Sequence, residues 1–173
     1  MVFQSRYGIG DKVFVVKKAY DYLILSKSVD DYDDAVLVGI VTDIRIIIVE
    51  DEYTLRNHAS LTILLENGKK FWCREELVCN SMDKALELAE SIAAKPISSM
   101  SICNVLRLIQ YHNLTTNSRI IRASSNVEIG DTVDGGRVTE AIVTLSTGDI
   151  RYVIKKNNRK FATGIQQINV FGG

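Results

Sequence analysis

The sequence is short of several things: it has one proline, two histidines, three cysteines and no net charge, 21 Lys+Arg standing against 21 Asp+Glu in 173 residues. Intrinsic disorder needs low hydrophobicity with high net charge; 46% hydrophobic residues and a neutral total exclude it. Neutrality also excludes a uniformly basic nucleic-acid binder, though not a locally basic surface. No apolar run approaches ~18 residues, so no membrane span is expected. The opening, Met1-Val2-Phe3-Gln4-Ser5-Arg6, carries no signal-peptide pattern. An odd number of cysteines without that pattern predicts reduced, buried thiols and a cytoplasmic protein.

Metal-ligand spacing is missing too. Cys73 and Cys79 do not form a C-x2-C pair, and His58 and His112 lie far from both in sequence. The acidic run Asp30-Asp31-Tyr32-Asp33-Asp34 lacks the glycine and the terminal glutamate of a calcium loop and reads as a solvated loop tip. Ser98-Ser99 and Ser124-Ser125 stand outside any G-x-S-x-G context, and no H-E-x-x-H, phosphate loop or G-x-G-x-x-G occurs. No catalytic residue, metal site or cofactor is assigned, and a non-enzymatic binding protein is expected.

What the chain does have is an internal repeat. Ile9-Gly10-Asp11-Lys12-Val13 returns as Ile129-Gly130-Asp131-Thr132-Val133, both I-G-D-x-V. Gly39-Ile40-Val41-Thr42 returns as Gly136-Arg137-Val138-Thr139, both G-x-V-T followed by an acid. A hairpin then follows in each copy, around Asn67-Gly68 and around Asn157-Asn158, at a constant offset of 90 residues. Asn-Gly predicts a type I′ turn, and Asn-Asn can adopt the same turn less comfortably. The first copy inserts 17–35 between its first two landmarks, where the second has only Asp134-Gly135.

Alternation of apolar and polar residues predicts strands near 12–18, 36–49, 60–66, 69–74 and 77–79, and again near 131–133, 137–146, 149–156, 159–163 and 167–171. Between them the period changes. Residues 81–95 are rich in helix formers, with Asn80 or Ser81 as N-cap and Met82, Ala85, Leu86, Ala89, Ile92 and Ala93 on one face. Pro96 ends that helix. A second helix is expected from about Ser98 to His112, with apolar residues around most of its circumference from Met100 to Ile109. Such a helix predicts a buried domain interface or a dimer. The expected fold is therefore mainly β with a helical insert. Its parts are an N-terminal barrel over 1–80, a helical linker over 81–125 and a C-terminal barrel over 126–173.

A five-stranded unit opening on x-x-G-D-x-V resembles SH3-like barrels of the KOW and Tudor type. Gly10, Asp11, Val13, Gly39, Val41 and Ile44 carry the likeness in the first copy, and Gly130, Asp131, Val133, Gly136 and Val138 in the second. The resemblance covers both ends and leaves the helical middle uncovered. The first copy departs from a KOW motif in the distance of its second glycine, Gly39. Two small barrels joined by two α-helices are also similar in architecture to small early regulatory DNA-binding proteins of T4-like phages, of the MotB type. The resemblance implies binding without catalysis: nucleic acid for KOW domains, peptides or modified residues for Tudor domains.

Charge is unevenly distributed. Residues 1–80 hold 10 Lys+Arg and 13 Asp+Glu, and residues 81–173 hold 11 and 8, so the neutral total is the sum of −3 and +3. No acid occurs from Arg151 to the end, while Arg151, Lys155, Lys156, Arg159 and Lys160 surround the second hairpin. Arg107, Arg119 and Arg122 lie in another acid-free stretch. These eight residues are the candidate contacts to double-stranded DNA, since cations on a hairpin can track phosphates or probe a groove. The alternative is a protein-interaction module acting on a host or partner protein. Tyr20, Tyr22, Tyr32 and Trp72 are its candidate aromatic cage, although Phe71 and Trp72 read more simply as barrel core.

Overall fold

The computed structural model describes residues 1–16, 35–93, 107 and 118–172. Its strands in chain order are β1 (Val2–Ser5), β2 (Lys12–Val16), β3 (Val36–Glu50), β4 (Leu55–Leu65), β5 (Lys70–Arg74), β6 (Val78–Cys79), β7 (Arg119–Ala123), β8 (Thr132–Val133), β9 (Gly136–Thr144), β10 (Asp149–Lys156), β11 (Arg159–Ala162), β12 (Gln166–Gln167) and β13 (Val170–Gly172). One α-helix, α1 (Met82–Ala93), and one 3-10 turn, Glu75–Leu77, have their bounds among the described residues. The class is mainly β, as expected. Of the two helices expected between the copies, α1 is one. The second, and with it the Met100–Ile109 face proposed for a dimer, lies outside the described residues except for exposed Arg107.

The chain divides into two compact units, each assembled from separate stretches. One contains 1–9, 42–61 and 118–173; the other contains 10–41 and 62–117. β3 and β4 supply residues to both, so the units do not follow the repeat boundaries.

In the second of these units β2 pairs antiparallel with β3 (Val13 opposite Gly39) and with β6 (Phe14 opposite Cys79). Its core is Val13, Val15, Val16, Val41, Ile63, Cys73, Val78 and Cys79, closed by α1. Ser81 caps that helix, its Oγ accepting from the Lys84 amide at 3.2 Å, and Asp83 sits in the first turn. The buried stripe is Ala85, Leu88 and Ile92, while Met82 and Leu86 are exposed. The stripe expected from the sequence is thus turned by about one residue. Leu88 does the packing that Leu86 was expected to do.

In the other unit β9, β10 and β11 form a meander, with β3 on the far edge of β9 (Ile47 opposite Ile142). Ile44, Ile46, Val138, Ala141, Val143, Ile150 and Tyr152 form its core. The same unit holds a three-stranded sheet in the order β1-β7-β13. Two of these strands differ from the sequence expectation, which has no element at 2–5 and places 119–123 in the helical linker. The free edge of β1 is occupied by Asn57, whose side-chain amide accepts from the Gln4 amide at 2.9 Å and donates to the Gln4 carbonyl at 2.7 Å. That pairing mimics a strand and blunts the edge.

The repeat is visible in hydrogen bonds. Gly10 donates its amide to the Val41 carbonyl at 2.7 Å, and Val41 donates to the Asp11 carbonyl at 2.9 Å. Gly130, Val138 and Asp131 make the same reciprocal pair, both at 2.8 Å. Gly10 and Gly130 have φ of +93° and +98°, a conformation that excludes most side chains. Val13 opposes Gly39, and Val133 opposes Gly136. One landmark pair is therefore the same local structure built twice.

The hairpins differ, and in the opposite sense to expectation. Asn157 and Asn158 both have positive φ (51° and 58°) and form the two-residue turn of the I′ kind. Asn67 does not; only Gly68 is left-handed (φ 84°). The Gly68 amide donates to Leu65 O, and the Leu65 amide to Lys69 O. The first loop is therefore a type I turn closed by a glycine bulge, one residue longer than the second. The 90-residue offset consequently holds only after the turn. Before it, Ile63 is the counterpart of Ile154, an offset of 91: each lies beside the landmark glycine of its own copy.

Asn158→Gly should stabilise the protein by about 0.5 kcal/mol, because glycine carries no Cβ penalty in this region. A chemical-denaturation midpoint checks it, and a lower midpoint would contradict the turn assignment.

Candidate nucleic-acid interface

Five of the eight cations expected to contact nucleic acid lie on β10 and β11. Strand alternation sorts them onto two faces. Ile150, Tyr152 and Ile154 point into the core, so Arg151, Val153 and Lys155 point outward. Lys155 stands directly opposite Lys160 on β11 and Arg137 on β9. Two of these outward cations are neutralised: Lys160 pairs with Glu140 at 3.0 Å, and Arg137 with Glu50 at 2.5 Å. Lys155 has no such partner among the described residues.

The opposite face of the hairpin extends past the end of the core. There Lys156 opposes Arg159, and Phe161 opposes Ile154. Lys156, Asn157, Arg159 and Phe161 line an open groove of about 470 Å³. Phe161 is 49% exposed, an aromatic face available beside two cations without counter-ions among the described residues. Like charges directly opposite each other destabilise an antiparallel pair. The hairpin has two such pairs, Lys155 with Lys160 and Lys156 with Arg159. Its tip is therefore less stable than an alternating-charge hairpin on the same backbone.

Arg151 has a different setting. Its Nε is shut off from solvent and has no hydrogen-bond partner among the described residues. Leaving a buried charged donor unsatisfied costs roughly 1–3 kcal/mol or more. Arg151 lines a pocket of about 220 Å³ together with Arg45, Ile142, Thr144, Asp149 and Ile165. Arg45 opposes Thr144, and Thr144 opposes Asp149, so three neighbouring strands build this pocket. Asp149 accepts from the Thr147 hydroxyl at 2.5 Å. Neither guanidinium forms an ion pair among the described residues. Sequence reasoning missed Arg45, and no local signal could have found it. Arg45 reaches this face only through the pairing of β3 with β9, almost one hundred residues apart.

The other two candidates in this unit are not on the hairpin. Arg119 and Arg122 belong to β7, in the other sheet of the same unit. Arg122 lies between Val2 and Phe171 on the exposed side of that sheet, with Ile120 two residues away. Arg107 is exposed. Tyr20, Tyr22 and Tyr32, and the acidic run 30–34, lie outside the described residues. Trp72 is 54% exposed, which corrects its reading as barrel core. It stands on β5 beside buried Cys73, and alternation turns it to the other face.

Cys73 and Cys79 are buried and form no disulfide with each other, while Cys103 lies outside the described residues. Burial, with the Glu76 carboxylate adding to it, pushes the Cys73 thiol from 9.0 up to about 12. Burial also raises the Tyr152 phenol, which is hydrogen-bonded to Ser125 and lies near the Glu128 charge. Both folded values lie above the unfolded ones. The unfolded chain therefore loses these protons first, and stability falls as pH rises. For Cys73 the loss runs from pH 9.0 to about 12, at up to ~1.4 kcal/mol per pH unit. Urea midpoints measured across that range should fall less steeply in Cys73→Ala than in the parent chain. Equal slopes would contradict the buried thiol. Native-state alkylation mapped by peptide should likewise spare Cys73 and Cys79.

The chain matches no family model, no curated protein and no solved structure.

Proposed function

We propose that this chain is a non-enzymatic regulatory protein that binds double-stranded DNA through the β10–β11 hairpin. The observation that carries the reading is the tight Asn157-Asn158 turn. It presents Lys155, Lys156 and Arg159 to solvent without counter-ions among the described residues, at the cost of two like-charge cross-strand pairs. An arrangement that costs stability and leaves cations unpaired suits an anionic partner. Exposed Phe161 beside Lys156 and Arg159 adds a surface that can contact a sugar or base. The test is fluorescence anisotropy with a labelled duplex at low salt. Saturable binding is expected, and none would overturn the reading.

A second reading, a module for a protein partner, is favoured by a different place. Val2, Ile120 and Phe171 surround Arg122 on the exposed side of the β1-β7-β13 sheet, and Phe171 is 59% exposed. Pull-down from lysate before and after nuclease separates the two, because a protein partner survives nuclease and a nucleic-acid bridge does not.

A further inference from the structure

We propose that the pocket between Arg45 and Arg151 is a phosphate-binding site. The two residues stand on the outward face of one sheet, two strands apart and one two-residue step offset. Ideal sheet spacing puts their Cα atoms roughly 12 Å apart. From there both arginines line the same space of about 220 Å³, together with Ile142, Thr144, Asp149 and Ile165. That volume suits a single phosphate group better than a whole nucleotide, since sites for drug-sized ligands run from about 300 Å³. Two guanidinium forks without carboxylate partners match the oxygens of such a group. The buried, unpartnered Arg151 Nε supplies a donor already withdrawn from water. The Thr144 side chain is a neutral lining group. Asp149 is the one acid in the lining, and one of its oxygens already accepts from the Thr147 hydroxyl at 2.5 Å.

The phosphate can come from two sources. One is the backbone of the nucleic acid held by the hairpin, because Arg151 and Lys155 share a face four residues apart on β10. The other is a free phosphorylated compound. Only the first source rests on the DNA reading.

The readout is the ¹⁵N–¹H resonance of the Arg151 Nε in the full chain, assigned with Arg151→Lys. Inorganic phosphate should move it saturably. Arg45→Gln should weaken that response at least tenfold, and Asp149→Asn should strengthen it several-fold by removing the repelling charge. A chain with Lys155, Lys156 and Arg159 changed to glutamine should respond to inorganic phosphate as the parent does. In the parent chain a short duplex should move the same resonance. If phosphate moves it and the duplex does not, the site takes free phosphate compounds and the proposal stands apart from the DNA reading. No saturable response to phosphate, an undiminished response in Arg45→Gln, or weaker binding in Asp149→Asn would overturn it.

Discussion

Gly39→Ala should destabilise the protein by about 3 kcal/mol, at the upper end of the usual cost of overpacking a core. A Cβ at Gly39 would lie 2.4 Å from Ile63 Cγ2 and 2.9 Å from the Leu64 carbonyl oxygen. The first contact is a methyl on a β-branched side chain, which is stiff about χ1. The second is backbone, held in a strand. Neither can retreat cheaply. At the equivalent Gly136 a Cβ would meet Ile154 Cβ and the Lys155 carbonyl oxygen, both at 3.2 Å. The neighbours there need to give only a few tenths of an ångström, and alanine offsets part of the strain by restricting the unfolded chain. Gly136→Ala should therefore cost about 1 kcal/mol or less. Denaturant midpoints of the two variants compare the copies at one structural position. Equal losses would contradict the closer strand approach in the first copy.

Changing Lys155, Lys156 and Arg159 together to glutamine should lower affinity for a duplex on the order of a thousandfold. Hydrogen bonds from charged groups are worth about 1.5–3 kcal/mol each, or about tenfold per contact at the low end. The fold should not suffer. All three side chains are exposed, none has an ion-pair partner among the described residues to strand, and both like-charge cross-strand pairs are relieved. A slightly higher denaturation midpoint with lost binding is the expected signature. Lys160→Gln should matter less, since Glu140 already neutralises Lys160 at 3.0 Å. A triple variant that binds like the parent would move the interface away from the hairpin.

How much of this could be read from residues alone depended on range. Gly10 and Gly130 were readable because a positive-φ glycine followed by an aspartate is a local device, and its hydrogen bonds recur in both copies. The cations of β10 and β11 were readable for the same reason: they are neighbours in sequence and across a two-residue turn. The turn types were not, because Asn67-Gly68 is compatible with both a I′ turn and a glycine bulge, and the choice lies in strand register. Leu88 was displaced from the expected helix stripe because Leu86 and Leu88 are both apolar, and only the packing against β2 and β6 selects between them. Most was lost over long separations. β1 finds β7 more than one hundred residues away, with Phe3 opposite Ile121, and Arg45 joins Arg151 through β9. Short alternating stretches such as Val2–Ser5 and Arg119–Ala123 carry strand propensity but no address.

The same pairing changes the meaning of the charge arithmetic. Within the unit that holds the hairpin, the described cations of the basic half do not form one basic surface. Arg122 stands among apolar residues on one sheet, and Lys160 and Arg137 are neutralised on the other. Among the described residues of that unit, three cations at the hairpin tip and two arginines in the pocket remain grouped without an ion pair. Arg45 comes from the half of the chain that is acidic by composition.

Duplex affinity measured across a range of salt concentrations distinguishes phosphate recognition from other kinds of binding. Each neutralised phosphate releases condensed counter-ions and contributes about −0.9 to the slope of log affinity against log salt. With Lys155, Lys156 and Arg159 each on a phosphate, the slope should be about −2.7 or steeper, and it should become shallower by about 0.9 for each of the three replaced with glutamine. A slope near zero, or one unchanged by those replacements, would contradict a phosphate-binding hairpin.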